Sequence, residues 1–193
     1  MTSRIEPIEP GDASDEAINE LLNQTEQWYD DSAFVGAMAH QPDLFKGLVS
    51  VFESFGKSEN IDSELLELMR LKVADCHQCA YCGTVRTQDV LDEVAPKEEA
   101  VFEDINADVL SDREVLAVQL AEYMSEDPHR ITDEFMNEIR DEFGEQGAIE
   151  LLLFLSIEVG LDRFCIALTL DTSEESPYPS GLEYPLENPS NNQ

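Results

Sequence analysis

Positive charge is scarce in this chain. Only 11 of its 193 residues are Lys or Arg, four of them lysines, against 43 Asp and Glu, which leaves a formal net charge of −32. Phosphate backbones would be repelled, so nucleic-acid binding is excluded as a function class. Glycine and proline are also sparse, at nine each, and no stretch of any length alternates apolar and polar residues as a strand does. The fold class expected is therefore all-α, and 42% hydrophobic residues at this length suffice for one domain with its own core.

Two further absences concern location. Residues Met1 to Glu16 lack a basic region followed by an apolar run, which argues against a secretory signal and for a cytoplasmic protein. The most hydrophobic stretch, Ala148 to Leu170, is interrupted by Glu150, Glu158, Asp162 and Arg163, each costly in lipid. It reads as a buried helix, with no membrane partner.

What the chain has in excess is acid, spread along its whole length and not gathered in a tail. At molar salt the Debye length falls to about 3 Å, so self-repulsion is screened while carboxylates still hold water. The composition points to a halophile's cytoplasm and to a fold that loosens in low salt.

Three segments are expected. Residues 1–32 are acidic, with Ala17, Ile18, Leu21, Leu22 and Trp28 spaced for a peripheral helix. Residues 33–170 read as the helical domain. Within it Ala33 to Ala39 and Pro42 to Phe55 are helices, the second ending near Gly56. Asp62 or Ser63 caps a central helix whose apolar positions surround most of its circumference, from Leu65 to Ala74. After a polar turn over Asp75 to Gln78, Cys79 to Val94 reads as helical again. Ser111 and Glu114 form a capping box, and Ile131 to Phe143 and Ala148 to Leu170 are the last two helices, parted by Gly144 and Gly147. Residues 171–193 hold four of the nine prolines, including Pro189, with serines and asparagines, and read as an extended tail that Tyr178, Leu182, Tyr184 and Leu186 can pin to the domain.

The chemistry concentrates in Asp75-Cys76-His77-Gln78-Cys79-Ala80-Tyr81-Cys82-Gly83-Thr84-Val85-Arg86. Four cysteines without an export signal suggest metal or redox chemistry before a disulfide framework. A structural metal site is one reading, but only Cys165 lies elsewhere, and on a helix Cys76, Cys79 and Cys82 would spread over about 120°. A redox pair at the start of a helix is the second: i and i+3 sulfurs come close to disulfide distance, and free backbone N–H groups favour the thiolate. Small buried cysteines filling core are the third, a reading that suits Cys165, between Phe164 and Ile166, better than three cysteines in a polar turn. His40 and His129 read as helix-end residues.

Glu67-Leu68-Met69-Arg70-Leu71-Lys72-Val73-Ala74, leading into Cys79-Ala80-Tyr81-Cys82, resembles the core of the alkylhydroperoxidase D-like branch of the carboxymuconolactone decarboxylase superfamily. Ala39-His40-Gln41-Pro42-Asp43-Leu44 upstream is similar too, as are Leu110 to Glu114 and Leu161 to Phe164 downstream. That family has a glutamate twelve residues before the first cysteine, here Glu67, and a histidine four after the second, where this chain has Arg86.

The resemblance implies a thiol-dependent peroxidase without metal or organic cofactor. In it Cys82 attacks a peroxide, Cys79 resolves the sulfenic acid to a disulfide, and an external dithiol reduces the pair. Glu67 would help move protons. Arg86 can stabilise a thiolate by charge but cannot relay protons, a task for which His77 is near enough to substitute; Glu67 could also simply pair with Arg70. Cys76 offers Cys79 an alternative partner. Self-association into a homo-oligomer through the long apolar helices is also implied. Two alternatives remain: a non-catalytic assembling domain that lost the relay, and a decarboxylase-type lyase, which needs no CxxC.

Overall fold

The structure is a computed structural model and describes residues 3–102, 105, 106 and 108–186; the last part of the expected tail, 187–193 with Pro189, lies outside the described residues. Eight helices follow one another: α1 (Glu16–Glu26), α2 (Ala33–Met38), α3 (Pro42–Phe55), α4 (Ser63–His77), α5 (Ala80–Thr84), α6 (Leu91–Val94), α7 (Asp112–Glu126) and α8 (Asp133–Leu168), with 3-10 turns between some of them. No strand occurs among the described residues. The all-α fold class is as expected.

Local chemistry sets the helix ends. Asp62 caps α4 by accepting from the Leu65 N–H at 2.8 Å, and Ser111 with Glu114 forms the expected capping box at α7. α8 carries the break foreseen at Gly144, whose φ of +70° and ψ of 173° suit glycine and lie outside the helical region, so that two helices meet there across a kink, as expected.

α4 is the axis of the molecule. Every residue from Leu65 to Ala74 is buried, charged ones included. Leu65, Met69 and Val73 pack against Leu120 of α7 and against Ile139, Leu151 and Leu155 of α8. Leu68 and Leu71 meet Val94, Val101 and Val118.

A third cluster joins α1, α2, α3, α5 and the end of α8 through Ile18, Leu22, Phe34, Phe45, Tyr81 and Cys165. Ile18 and Leu22 are 1% and 0% exposed, so α1 buries its apolar face in this cluster while most of its other residues stay in solvent. The tail is pinned as foreseen. The Tyr184 hydroxyl accepts from the Tyr81 N–H at 3.2 Å and donates to the Leu170 carbonyl at 2.8 Å, while Leu186 stays exposed.

The helix expected over Cys79 to Val94 is divided. α5 stops at Thr84 because Val85 turns extended (φ −77°, ψ 154°), its carbonyl accepting from Arg70 Nη2 at 2.8 Å. Among the described residues no helix is long and apolar enough to cross a membrane.

Candidate active site

The turn between α4 and α5 builds the site. α4 runs one residue short of Cys79, through His77, and ends on Gln78 in the left-handed region (φ 54°), a strained conformation for a residue with a side chain. That reversal makes Cys79 the N-cap of α5, where its sulfur accepts the Cys82 N–H at 3.4 Å. The two sulfurs stand 2.7 Å apart, both cysteines free.

Negative charge in this pair settles on Cys79. Burial pushes its thiol up, but hydrogen bonds from the thiols of Cys165 and Cys82, from the Cys82 backbone N–H and from Asp162 outweigh it and bring it down to about 4. Cys82 is pushed well up, first by burial and then by the sulfurs of Cys165 and Cys79. With only five residues in α5, discrete hydrogen bonds and not a long helix dipole hold the thiolate.

α8 supplies the other wall. Asp162, 3% exposed, faces the pair, and one of its oxygens lies within 4.8 Å of both sulfurs. Its Oδ2 also meets His77 Nδ1 at 2.7 Å, while His77 Nε2 faces the Ser125 carbonyl at 3.3 Å. Burial raises the Asp162 carboxyl, the His77 hydrogen bond opposes this, and the Cys79 charge adds to it. His77 thus joins the pair through Asp162. Among the described residues, Cys79, Cys82 and Asp162 are the groups close enough together to hold a soft metal ion.

The remaining expected site residues are placed as follows. Glu67 pairs with Arg70, as its spacing allowed, but in the interior: Arg70 Nε and Nη2 donate to it at 2.7 and 2.6 Å, and Thr87 Oγ1 and N–H at 2.6 and 3.1 Å. Its burial alone would raise it, yet Arg70 and Thr87 hold it below the usual carboxylate range. Arg70 also donates from Nη1 to the Cys82 carbonyl at 2.7 Å, so the pair clamps α5 onto α4.

Arg86 is not brought to the sulfurs. Its Nε donates to Glu98 at 2.7 Å and its Nη1 to the Gly83 and Val85 carbonyls at 2.8 and 2.9 Å. Cys76 sits apart with Lys72, Asp75, Glu122 and Glu126, its thiol pushed up to about 11 by burial, against the pull of Lys72.

Three contributors escaped the sequence reading: Cys165, Asp162 and Glu158. Cys165 occupies the core, as its apolar neighbours in sequence suggest, at 1% exposure, and also touches both sulfurs. Glu158 and Asp162 are one turn apart on α8, and the signal was there as acids at i and i+4 inside an apolar run. A small cavity of about 20 Å³, enough for one water, is lined by Cys82, Cys165, Asp162, Glu158, Arg70 and Tyr29 among others.

Comparison with known proteins agrees with this architecture. No protein-family model matches the chain. The uncharacterized protein YdfG of Bacillus subtilis (strain 168) is 24% identical over 119 residues, 60% of this chain and 81% of that protein. Among solved structures, a cysteine-to-alanine variant of the debrominase Bmp8 in complex with 2,3,4-tribromopyrrole superposes with a TM-score of 0.71 at 20% identity, covering 91% of this chain and 94% of the other. An uncharacterized peroxidase-related protein from Silicibacter sp. TM1040 gives a TM-score of 0.71 at 12% identity, covering 88% and 91%. At these identities the likeness establishes the fold, which is the alkylhydroperoxidase D-like one.

Proposed function

We propose that the protein is a thiol oxidoreductase of peroxidase type, working in concentrated salt as a homo-oligomer, with Cys79 and Cys82 as its redox pair. The observation that carries this is the 2.7 Å approach of a thiolate-favouring Cys79 to Cys82, which lines an internal cavity beside Asp162.

Cys79, charged at rest, takes the proton of Cys82 across that contact. The Cys82 thiolate attacks a peroxide oxygen, the O–O bond breaks, and the alkoxide leaves to become an alcohol. The Cys79 thiol then attacks the Cys82 sulfenic acid, its proton reaching the departing hydroxide through the Asp162–His77 pair, so that water leaves and a disulfide closes. An external dithiol returns both electrons. In sum, the resting thiol and thiolate, one further proton and ROOH give a disulfide, ROH and water, and the dithiol gives that proton back when it restores the pair.

Glu67 and Arg86 have positional parts in this scheme. Glu67 holds Arg70 against the Cys82 carbonyl, and Arg86 ties α5 to Glu98. The outer face of α8, where Ile149 and Leu153 are 59% and 55% exposed, is the surface for self-association.

A second electrophile deserves the same assay, because Bmp8 is a debrominase: two thiols and an aryl bromide would give a disulfide, the debrominated ring and HBr.

Reduced protein in molar KCl, given dithiothreitol and a peroxide, is expected to consume the peroxide. Turnover should vanish in Cys82→Ser and in Cys79→Ser and persist in Cys76→Ser. A parent protein that consumes no peroxide, or serine variants as active as the parent, would overturn the proposal; bromide release in place of peroxide loss would favour the second electrophile.

A further inference from the structure

Next to the thiol site lies a larger cavity, of about 200 Å³, that the thiol chemistry above leaves unused. Its walls are aromatic. Trp28 and Phe52 meet edge to face at 5.9 Å, and Phe55 and Phe154 do so at 5.4 Å. An engineered apolar cavity of about 150 Å³ in another protein holds benzene, so the size suits a single ring with a short substituent.

Apolar walls alone would mark no site. Glu158 supplies the independent observation: it is 8% exposed, lines this cavity, has no hydrogen-bond partner among the described residues, and its oxygens are not sealed from open space as the buried Glu150 Oε1 is. The other carboxylate on the same wall, Glu67, is fully engaged by Arg70 and Thr87. An unpartnered buried carboxyl is costly unless a ligand or a proton satisfies it. Glu158, Tyr29 and Arg70 line both this cavity and the small one that Cys82 borders, so they form the partition between ring and sulfur.

We infer that the aromatic cavity binds a molecule with one aromatic ring whose hydroxyl or hydroperoxyl group faces Glu158, and that Glu158 gives its proton to the oxygen that leaves when Cys82 attacks. The binding half stands alone; the proton-transfer half rests on the peroxidase reading. In that step the O–O bond electrons go to the leaving oxygen, Glu158 protonates it, and the resulting carboxylate recovers a proton when the external dithiol, which brings two protons, restores the resting pair of one thiol and one thiolate.

The groups facing Glu158 suit this task. Burial raises it and Arg70 on α4 opposes, while the charges of Asp162, Glu67 and Cys79 raise it further, to about 7. Tyr29 on the partition, and Glu53 and Asp89 around the same cavity, add no cation. The acid form is thus populated at and below neutrality.

Trp28 is the chain's single tryptophan, and its fluorescence reports on the cavity without any turnover. Titration of the reduced protein in molar KCl with 2-phenylpropan-2-ol, the alcohol formed from cumene hydroperoxide, should give a saturable change. The affinity should fall about tenfold in Phe154→Ala and in Phe52→Leu, the second variant guarding against a folding defect in the first.

With cumene hydroperoxide as substrate, kcat/KM should decline as pH rises through about 7. Glu158→Gln should lower it by about a hundredfold below neutrality and remove that decline.

The absence of saturable binding, or binding that neither aromatic substitution weakens, overturns the site. A Glu158→Gln enzyme that keeps the parental rate and pH profile overturns the acid. Binding of the alcohol by a protein that turns over no peroxide supports the aromatic site while sinking the peroxidase reading and the acid role together.

Discussion

Between Cys79 and Cys82 one negative charge is divided unequally, and the third thiol, Cys165, is a main reason. Its hydrogen bond is the first of the contacts that lower Cys79 against burial. Cys165→Ala removes that donor with little change of volume, so the Cys79 thiolate should become harder to form. Thiolate absorbance near 240 nm in the parent protein should persist as pH falls and disappear only near pH 4. In Cys165→Ala it should disappear at higher pH, and the peroxide-consuming rate should drop most below neutrality, where the thiolate fraction is lost. An unchanged titration would show that Cys82 and its N–H suffice. This residue also measures how far the sequence reaches. Cys79, Cys82 and His77 were legible because they are neighbours along the chain. Cys165, Asp162 and Glu158 were not, because acids at i and i+4 in an apolar run mark a buried polar stripe without naming what it faces, and only the return of α8 across α4 brings it to the sulfurs.

At the scale of elements, what could be read locally was read correctly. The Asp62 cap, the Ser111–Glu114 box and the Gly144 break each depend on residues within one helical turn. The early end of α5 depends on Arg70, far back in the chain, accepting the duty of binding the Cys82 and Val85 carbonyls, and so it was read as continuing helix. The helical spacing of Ile18 and Leu22 marks the buried face of α1, but not its partners, which α2, α3 and α5 supply. The tail shows the same dependence. Its Tyr184 hydroxyl satisfies both the Tyr81 N–H at the start of α5 and the Leu170 carbonyl at the end of α8, binding the helix that carries the thiols to the one that carries Asp162. Tyr184→Phe keeps the ring packed but leaves both buried backbone groups unpaired, which should cost about 1–3 kcal/mol. A thermal melt checks the stability, and loss of Cys82 reactivity ahead of global unfolding would show that the tail orders α5 in particular.

For the molecule as a whole the decisive quantity is the net charge of −32. Most of the few cations are committed to acidic partners within the fold, such as Arg70 with Glu67, Arg86 with Glu98 and Arg130 with Glu126, so they do little to offset repulsion among the other exposed acids. At low ionic strength that repulsion acts over a Debye length of about 30 Å, the scale of the domain itself; at molar salt it acts over about 3 Å. Repulsion also opposes association. Pairing two copies through Ile149 and Leu153 on α8 would bring two strongly negative bodies together, which the apolar face can achieve only when salt screens them. Two measurements therefore belong together. The melting midpoint should rise steeply from dilute buffer to molar KCl, and light scattering over the same range should show the mass step up to a multiple of the chain. Leu153→Glu, at an exposed position, should leave the midpoint of the isolated chain nearly unchanged and abolish the mass step. A midpoint indifferent to salt would mean that the acidic surface serves a purpose other than stability in brine, and an unchanged mass step in the variant would move the association surface away from α8.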